Sequence, residues 1–471
     1  MRPWPLPSSL GYAPGSSRRY RRIVRVGRSL CRGLGASGDW LPPADLPPGG
    51  GALKKARFGT RGSGPSLLNT LPIWFNNAMV QDFRTSSPRA GRYVRQLTGY
   101  SAFIPAPLPP DPPLQLGPLV PLLSHADQAI GRLDGVGRTL PNPDLFVAMY
   151  VRREAVLSSQ IEGTQSSLDD VLAFELDGTR KRFPDDVSEV VNHVTAMNYG
   201  LQRLETLPLS LRLIREIHER LLEGVRGSAK DPGEFRRSQN WIGARGALLA
   251  DAAYVPPPPA ELMAALADFE GFINEPGDLP SLILAALAHA QFETIHPFLD
   301  GNGRVGRLLI TFLLVCRGVL HRPLLCLSYY LKRHRAEYYD RLRVVRLDGD
   351  WEGWLRFFLQ GVWETAEEAT STAGKIVSLR EQHLAIVSDL GANGIKLLDH
   401  LYRQPMLDVK ATVRALSVSW PTANKLAAAF EERGVLNEVT GHHRNRVFRY
   451  SPYLALFTEP PSEQPGSVQP A

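Results

Sequence analysis

The segment His296–Arg307 constrains this chain most, because it places a polar, glycine-rich stretch directly before a run of apolar residues. Its sequence is His-Pro-Phe-Leu-Asp-Gly-Asn-Gly-Arg-Val-Gly-Arg, and seven of the eight residues in Leu308–Val315 are apolar. This pattern predicts a loop that leads into the N-terminus of a buried helix. Backbone N–H groups at a helix start, together with the helix dipole, bind anions. Arg304 and Arg307 share one face of the first helical turn, which favours a polyphosphate ligand.

The net positive charge of the chain comes from its N-terminal segment. The 471 residues are enough for two or three domains and carry a formal net charge of +7. Residues 1–78 hold 12 of the 54 basic side chains and two of the 47 acidic ones, which leaves 42 basic against 45 acidic residues elsewhere. The high overall charge therefore gives no indication of nucleic-acid binding by the rest of the chain.

Residues 1–78 are rich in Gly, Pro, Ser and Arg and lack hydrophobic periodicity, which predicts disorder. We expect translation to start at or near Met79, so that this segment would not belong to the native protein. No apolar stretch typical of a secretory signal follows the first basic residue. The three cysteines lack pairing or metal-binding spacing, which fits a reducing compartment. No apolar run is long enough to span a bilayer, so we expect a cytoplasmic protein without a membrane partner.

Hydrophobic periodicity divides the remaining chain into a mostly α-helical body and a smaller C-terminal unit. The predicted segments are an extended Pro-rich stretch (79–118), a helical domain (119–370), a connecting helix (371–394), a C-terminal unit (395–457) and a disordered tail (458–471). Within the helical domain, the glycine-containing stretch between Gln239 and Tyr254 predicts a β-hairpin flap. Three helices and two strands predict a winged helix-turn-helix for the C-terminal unit.

The motif His296–Arg307 resembles that of the Fic family, H-x-F-x-D/E-G-N-G-R-x-x-R, and meets it at all eight specified positions. The stretches Pro232–Arg236, Trp241–Gly243 and Tyr338–Tyr339 are also similar to the family, and the resemblance spans roughly residues 90–370. It implies a helical Fic-type domain that transfers AMP from ATP to a Ser, Thr or Tyr hydroxyl of a target protein. It further implies that His296 is the general base and that Asp300 binds Mg²⁺.

The resemblance also implies a set of residues around ATP. Gly301, Asn302 and Gly303 would surround the α- and β-phosphates, and Arg307 would meet the γ-phosphate. The complete expected set is Pro297, Phe298, Leu299, Asp300, Gly301, Asn302, Gly303, Arg304, Arg307, Gln291 and His334. Within it, Phe298 is expected to anchor the loop in the core, whereas Gln291 and His334 are placed near the adenosine.

A second motif, Ser158-Ser159-Gln160-Ile161-Glu162-Gly163, is similar to the inhibitory pattern of the family, S/T-x-x-x-E-G/N. Ser158, Glu162 and Gly163 occupy its specified positions. By this resemblance Glu162 pairs with Arg307 and blocks the γ-phosphate, because one guanidinium cannot hold a carboxylate and a phosphate in the same place. The alternative is an ordinary carboxylate at a helix end. In some relatives the same glutamate supports removal of AMP, so the reverse reaction stays open.

The flap near Leu248–Val255 would, by resemblance, align a target backbone as an added strand; an ordinary surface hairpin is the alternative. In the winged helix, Thr422, Asn424 and Lys425 begin the expected recognition helix. The wing carries His443, Arg444 and Arg446. These side chains fit phosphate contacts with DNA, but winged helices also bind proteins or form dimers, so a homodimer and a DNA-free role stay open.

Two other functions are alternatives to AMP transfer, whether the acceptor is another protein or the chain itself. One is a DNA-binding transcriptional regulator whose helical domain senses a nucleotide. The other is phosphoryl transfer, as in relatives with lysine in place of the second loop glycine; Gly303 disfavours it.

Overall fold

The computed structural model describes residues 87–139, 143–177, 183–243 and 246–458. The predicted disorder of residues 1–78, the predicted start at Met79 and nearly all of the predicted disordered tail lie outside these ranges. All described residues belong to one compact unit.

The described chain is mostly helical, as the sequence predicts. In chain order its helices are α1 (Val120–Thr139), α2 (Pro143–Ile161), α3 (Leu168–Asp177), α4 (Asp185–Arg203), α5 (Leu211–Leu221), α6 (Pro259–Asn274), α7 (Ser281–Ile295), α8 (Asn302–Cys316), α9 (Leu327–Arg333), α10 (Arg335–Asp348), α11 (Trp351–Val387), α12 (Gly391–Arg403), α13 (Val409–Leu416), α14 (Trp420–Glu432) and α15 (Ser451–Leu454). Among the described ranges, no helix is both long and apolar enough to cross a membrane.

Short polar side chains fix several of the helix starts. Ser210, Asp350, Asp408 and Ser419 each accept a hydrogen bond from the backbone N–H three residues further on, at 3.4, 2.9, 2.5 and 3.4 Å. Such a cap satisfies one of the N–H groups that a helix start leaves without an internal partner. The cap at Ser419 fixes the start of α14 at Trp420.

Helices α7 and α8 form the centre of the core. Every residue of Leu282–Ile295 is buried, and so is every residue of Arg304–Leu314. The predicted buried helix after the glycine-rich loop is therefore confirmed. The short connection between these two helices is the loop His296–Gly301, so the loop is held at both ends by helices that cannot shift without opening the core.

Helix α11 is longer than predicted. The sequence predicts a helix to Glu368 and a separate connecting helix over residues 371–394, but one helix of 37 residues runs from Trp351 to Val387. Its buried stripe continues through Thr365, Ala369, Thr372, Ala373 and Ile376, and this spacing of three to four residues keeps one face against the core. The break comes later, at Gly391, whose φ is 67°.

Two strands lie in the segment that was predicted to be only extended. β1 (Gly91–Arg95) and β2 (Ser101–Pro105) pair antiparallel, with Gly91 opposite Pro105 and Arg95 opposite Ser101. Ala102 and Phe103 on β2 are fully buried. The dense prolines begin only at Pro105, so the residues before it are free to form backbone pairs.

In the part of the predicted hairpin flap that is described, the backbone pairing is limited to a single bridge. Ile242 and Tyr254 form one antiparallel bridge, and Leu249–Asp251 is a 3₁₀ turn. The Phe103 N–H donates to the Val255 carbonyl at 2.9 Å, so the flap lies beside β2. Pro256–Pro259 follow at once, and prolines have no N–H to extend the pairing.

Near the C-terminus, three helices and three strands pack together. β3 (Met406–Asp408), β4 (Asn437–Glu438) and β5 (Val447–Arg449) form an antiparallel sheet in the order β3-β5-β4. Helices α12, α13 and α14 agree with the three helices that the sequence predicts over 395–402, 409–416 and 423–433. The strands β4 and β5 are shorter than those predicted over 435–439 and 447–450. The sequence analysis missed β3 because three residues are too short for an alternating pattern to be recognised.

Candidate active site

The loop between α7 and α8 is closed by its own asparagine. The Phe298 N–H donates to Asn302 Oδ1 at 2.8 Å, and Asn302 Nδ2 donates to the Phe298 carbonyl at 2.8 Å. Gly301, with φ 75°, makes the turn into α8. Phe298 is fully buried, as expected for the loop anchor. The Asn302 side chain therefore shapes the loop, which leaves its backbone N–H directed out of the start of α8.

His296 ends α7 in a left-handed conformation, with φ 48° and ψ 60°. For a non-glycine residue this costs roughly 1–2 kcal/mol. The buried Arg236 side chain donates to the His296 carbonyl at 3.0 Å, and its backbone N–H donates to Pro297 at 2.9 Å. Asn240 Nδ2 donates to the carbonyls of His296 at 3.2 Å and Phe298 at 2.8 Å. These bonds offset the strain and fix the direction in which the imidazole points.

His218, on α5, contacts the loop at Asp300 and Phe298. It accepts a hydrogen bond at Nδ1 from the Gly233 N–H at 2.9 Å, and its Nε2 lies 3.0 Å from the Asp300 carbonyl. Its ring stacks on Phe298, with centroids 3.7 Å apart and planes 8° from parallel. Burial lowers the pKa of this imidazole from 6.5 to about 4. The ring is thus neutral at pH 7 with one donor and one acceptor nitrogen.

Two arginines of the motif are buried, and each already has a carboxylate partner. Arg304 lies 3.2 Å from Glu189 and 3.7 Å from Asp300. Arg307 donates from Nε to Ser158 Oγ at 2.8 Å and from Nη2 to Glu162 Oε1 at 2.7 Å. The predicted contact between Glu162 and Arg307 is therefore present.

Glu162 also lies directly over the start of α8. A Cβ atom placed on Gly303 would come within 2.1 Å of Glu162 Oε1, so the carboxylate rests against the bare Cα of this glycine. The turn that brings it there requires Gly163, whose φ is 101°. One carboxylate thus meets both the Arg307 guanidinium and the N-terminus of α8, the two features that attract an anion.

Charge and burial set the protonation of the site. Burial and, to a smaller extent, the Arg236 charge lower the pKa of the His296 imidazole to about 4. Burial disfavours the charged form of Glu162, but the Arg307 charge and hydrogen bond outweigh it and lower the pKa of that carboxyl. Burial raises the pKa of the nearby Glu293 carboxyl to about 7. At neutral pH His296 is therefore a free base, and the pair of Glu162 and Arg307 is ionised.

Two protein-family models match the part of the chain that contains this site. Residues 120–202 match the model of the Fic/DOC family N-terminal region, and residues 208–314 match that of the Fic/DOC family. This part of the chain is similar to the Fic/DOC family. The two matched regions contain the motif Ser158–Gly163 and all of the motif His296–Arg307, so together they hold the whole site described above.

Curated relatives are similar to about a third of the chain. A protein adenylyltransferase Fic of Drosophila grimshawi is 34% identical over 179 residues, covering 37% of this chain and 33% of that protein. The Aedes aegypti protein of the same name is 36% identical over 180 residues, covering 37% of this chain and 32% of its own length. The chain thus spans about a third of the length of these relatives. A Fic family protein from Desulfovibrio desulfuricans G20 has a TM-score of 0.48 and 21% identity, covering 71% of this chain and 96% of its own.

The other residues that were predicted to bind ATP lie in the loop itself, on α7, or between α9 and α10. Pro297 is buried, and Leu299 and Asp300 are partly exposed beside it. Gln291 is 4% exposed and donates to the Ala106 carbonyl at 2.8 Å, whereas the His334 ring contacts Tyr330 between α9 and α10. The expected contact of Gln291 and His334 with adenosine stays a prediction.

Three residues that support the loop had no assigned role in the sequence analysis. Arg236 stood out only as the end of the family-like stretch Pro232–Arg236, and neither Asn240 nor His218 carried a recognisable signal. They lie 56 to 82 residues from their bonding partners in the loop. Only the fold brings them to it.

Proposed function

We propose that this protein transfers AMP from ATP to a hydroxyl side chain of a target protein and that Glu162 holds it inactive. Support comes from the complete motif at the joint of two buried helices, and from curated relatives named protein adenylyltransferase Fic. The observation that carries the proposal is the contact of the Glu162 carboxylate with both Gly303 and Arg307. An anion already fills the place suited to the phosphates.

In the proposed reaction His296 removes the proton from the target hydroxyl. The hydroxyl oxygen then forms a bond to the α-phosphorus of ATP, and the bond from that phosphorus to the bridging oxygen breaks. Pyrophosphate leaves with the bonding electrons, and AMP remains on the target. A neutral imidazole is needed for the first step, which agrees with the lowered pKa of His296.

The start of α8 is suited to the phosphates. The first N–H groups of the helix, from Asn302 to Arg304, have no partner within the helix, and Gly303 lets an oxygen approach the backbone closely. Arg307 would take the γ-phosphate once Glu162 withdraws. Because Arg304 already contacts Glu189, we assign it a supporting role that holds positive charge beneath the loop.

Asp300 fits a Mg²⁺ ligand. Its side chain is 37% exposed, and one oxygen accepts the Gly301 N–H at 2.6 Å. Within the described ranges, no three His, Cys, Asp or Glu side chains converge as a metal site. That suits Mg²⁺, which is usually held by one or two carboxylates together with phosphate oxygens of the nucleotide. When bound there, the ion would neutralise phosphate charge.

The flap is proposed to place the target. Tyr254 donates to the Thr294 carbonyl at 2.6 Å, two residues before His296, so the flap is attached to the end of the helix that carries the base. Trp241 and Leu248 on the flap are 41% and 69% exposed. An extended target segment lying along these residues would bring its hydroxyl to the imidazole.

A second proposed function lies in the C-terminal unit. The order α12, β3, α13, α14, β4, β5 supports a winged helix-turn-helix. Asn424 and Lys425 on α14 are exposed, as are His443 and Arg444 in the wing, whereas Arg446 contacts Glu431 at 3.3 Å. These exposed donors favour contacts with a nucleic-acid backbone.

Parallel labelling of the Glu162→Gly protein with α-labelled and γ-labelled ATP tests the transfer. We expect label from the α position only, because AMP keeps the α-phosphate and releases the other two. Label from the γ position would contradict AMP transfer and indicate phosphoryl transfer. Nucleotide binding without label from either position would favour a nucleotide sensor.

A further inference from the structure

The His218 side chain links three parts of the candidate site that are separate in sequence. It joins α5 to the Gly233 turn through Nδ1 and to the Asp300 carbonyl through Nε2. Since Nδ1 accepts a hydrogen bond, the proton resides on Nε2, which donates to Asp300. The side chain is fully buried, so water cannot substitute for either bond.

The bond to Asp300 fixes the peptide that determines the geometry of the loop. On one side of this carbonyl is the Asp300 carboxylate, and on the other is Gly301, which turns the chain into α8. The space beside the Gly301 Cα is filled by the His218 ring, whose atoms lie 3.5 Å from a Cβ placed there. A change at His218 therefore alters the position of the carboxylate and of the helix start together.

We propose that His218 is a positioning residue that holds Asp300 and the start of α8 in place for a nucleotide with its divalent cation. This rests on the function proposed above. Residues that orient a metal ligand typically affect metal affinity or activity by 10- to 100-fold.

Two isosteric variants in the Glu162→Gly background separate the two bonds of His218. The amide of His218→Asn falls near Nδ1, so it retains the acceptor for Gly233 and loses the donor to Asp300. The amide of His218→Gln falls near Nε2 and does the opposite. We expect calorimetry with a non-hydrolysable ATP analogue to show about tenfold weaker binding in the Asn variant with Mg²⁺. Without Mg²⁺ the loss should be smaller, because only the displaced start of α8 then contributes to it, and the Gln variant should stay near the parent.

Equal binding of both variants with Mg²⁺, or equal losses with and without Mg²⁺, would overturn the proposal. A ¹⁵N NMR spectrum of His218 gives a nucleotide-free test: we expect the Nε2–H tautomer, and the Nδ1–H tautomer would refute the role even if the protein transfers no AMP. Failure of the parent to bind nucleotide would instead contradict the proposed function.

A different set of contacts joins the C-terminal unit to the inhibitory segment. Arg449 on β5 donates to both oxygens of Asp169 on α3, at 3.1 and 3.0 Å. Arg152 on α2 binds both oxygens of Glu175 on α3, with bonds of 2.8 to 3.0 Å. Two ion pairs therefore connect the C-terminal sheet, through α3, to α2, the helix that ends at Ile161 directly before Glu162.

Aromatic packing supports the same connection. Tyr150 on α2 is buried and contacts Phe457 edge-on, with centroids 5.5 Å apart. Phe457 in turn contacts Tyr453 at 5.2 Å. We infer that docking of the C-terminal unit on α2 and α3 stabilises the position of Glu162, so that a ligand of that unit would change the inhibition. This also rests on the proposed inhibition.

Charge reversal tests the coupling. Arg449→Asp is expected to raise auto-labelling by α-labelled ATP roughly two- to fivefold, the range for a half-exposed ion pair. The swap Arg449→Asp with Asp169→Arg should restore the low rate, and Arg446→Asp, which breaks a pair inside the C-terminal unit, should not raise it. In the Glu162→Gly background, Arg449→Asp should have no further effect.

A rise that persists in the Glu162→Gly background, or a swap that fails to restore the low rate, would overturn the coupling. An unchanged rate in Arg449→Asp, alongside a Glu162→Gly protein that does label itself, would overturn it while leaving the proposed function intact.

Discussion

Replacing Glu162 by glycine should raise auto-labelling by α-labelled ATP about 5- to 150-fold, the range of a coupling free energy of 1–3 kcal/mol. The variant removes the carboxylate that contacts Arg307 at 2.7 Å and lies against Gly303. Arg307 and the start of α8 then become available to the phosphates. Gel autoradiography of the purified protein over time gives the initial rate.

The matched control is Glu205→Gly, which removes an exposed carboxylate shortly after the end of α4. It should leave the rate at the wild-type level. A Glu162→Gln variant keeps the size of the side chain but removes its charge, so we expect an intermediate rise. A Glu162→Gly rate equal to that of the wild type would refute autoinhibition, and a lower rate would favour a role of Glu162 in removing AMP.

Replacing His296 by alanine in the Glu162→Gly background should lower the labelling rate by about 10²- to 10⁴-fold, the usual contribution of a general base. The imidazole is neutral at pH 7 because burial lowers its pKa to about 4. The rate of the parent should consequently stay constant down to about pH 5 and fall as the ring is protonated at lower pH. Initial rates across that range measure both effects.

Two controls accompany this variant. His321→Ala removes a half-exposed imidazole that contacts Asp134 and should leave labelling unchanged. Affinity for a non-hydrolysable ATP analogue should be retained in His296→Ala, because the side chain acts on the hydroxyl rather than on the nucleotide. Binding to duplex DNA, measured at fixed salt, should also be the same as in the parent. Full labelling by His296→Ala would refute the assigned base.

Local patterns in the sequence were enough to predict the loop and the helix that follows it. The glycines and the apolar run of His296–Leu314 specify a turn and a buried helix within a few residues of each other. The contact of Phe298 with the core follows from the same short segment. Such patterns can be recognised in a sequence because the residues that interact are near neighbours in the chain.

Patterns that depend on distant contacts were predicted less well. The flap forms a single bridge between Ile242 and Tyr254, and the next residue, Val255, accepts a hydrogen bond from Phe103 of β2 instead of extending that pairing. The end of α11 was placed too early, because the buried stripe continues against elements far away in sequence. The supporting residues Arg236, Asn240 and His218 were missed for the same reason.

The sequence by itself determined which residues carry the candidate chemistry and which glutamate occupies the motif Ser158–Gly163. Only the tertiary structure decided that Glu162 and Arg307, 145 residues apart, meet at 2.7 Å over the start of α8. That meeting depends on how α2 packs beside α8 and on the left-handed turn at Gly163. Burial, which sets the pKa of His296 and the strength of each ion pair, likewise arises only when the helices assemble.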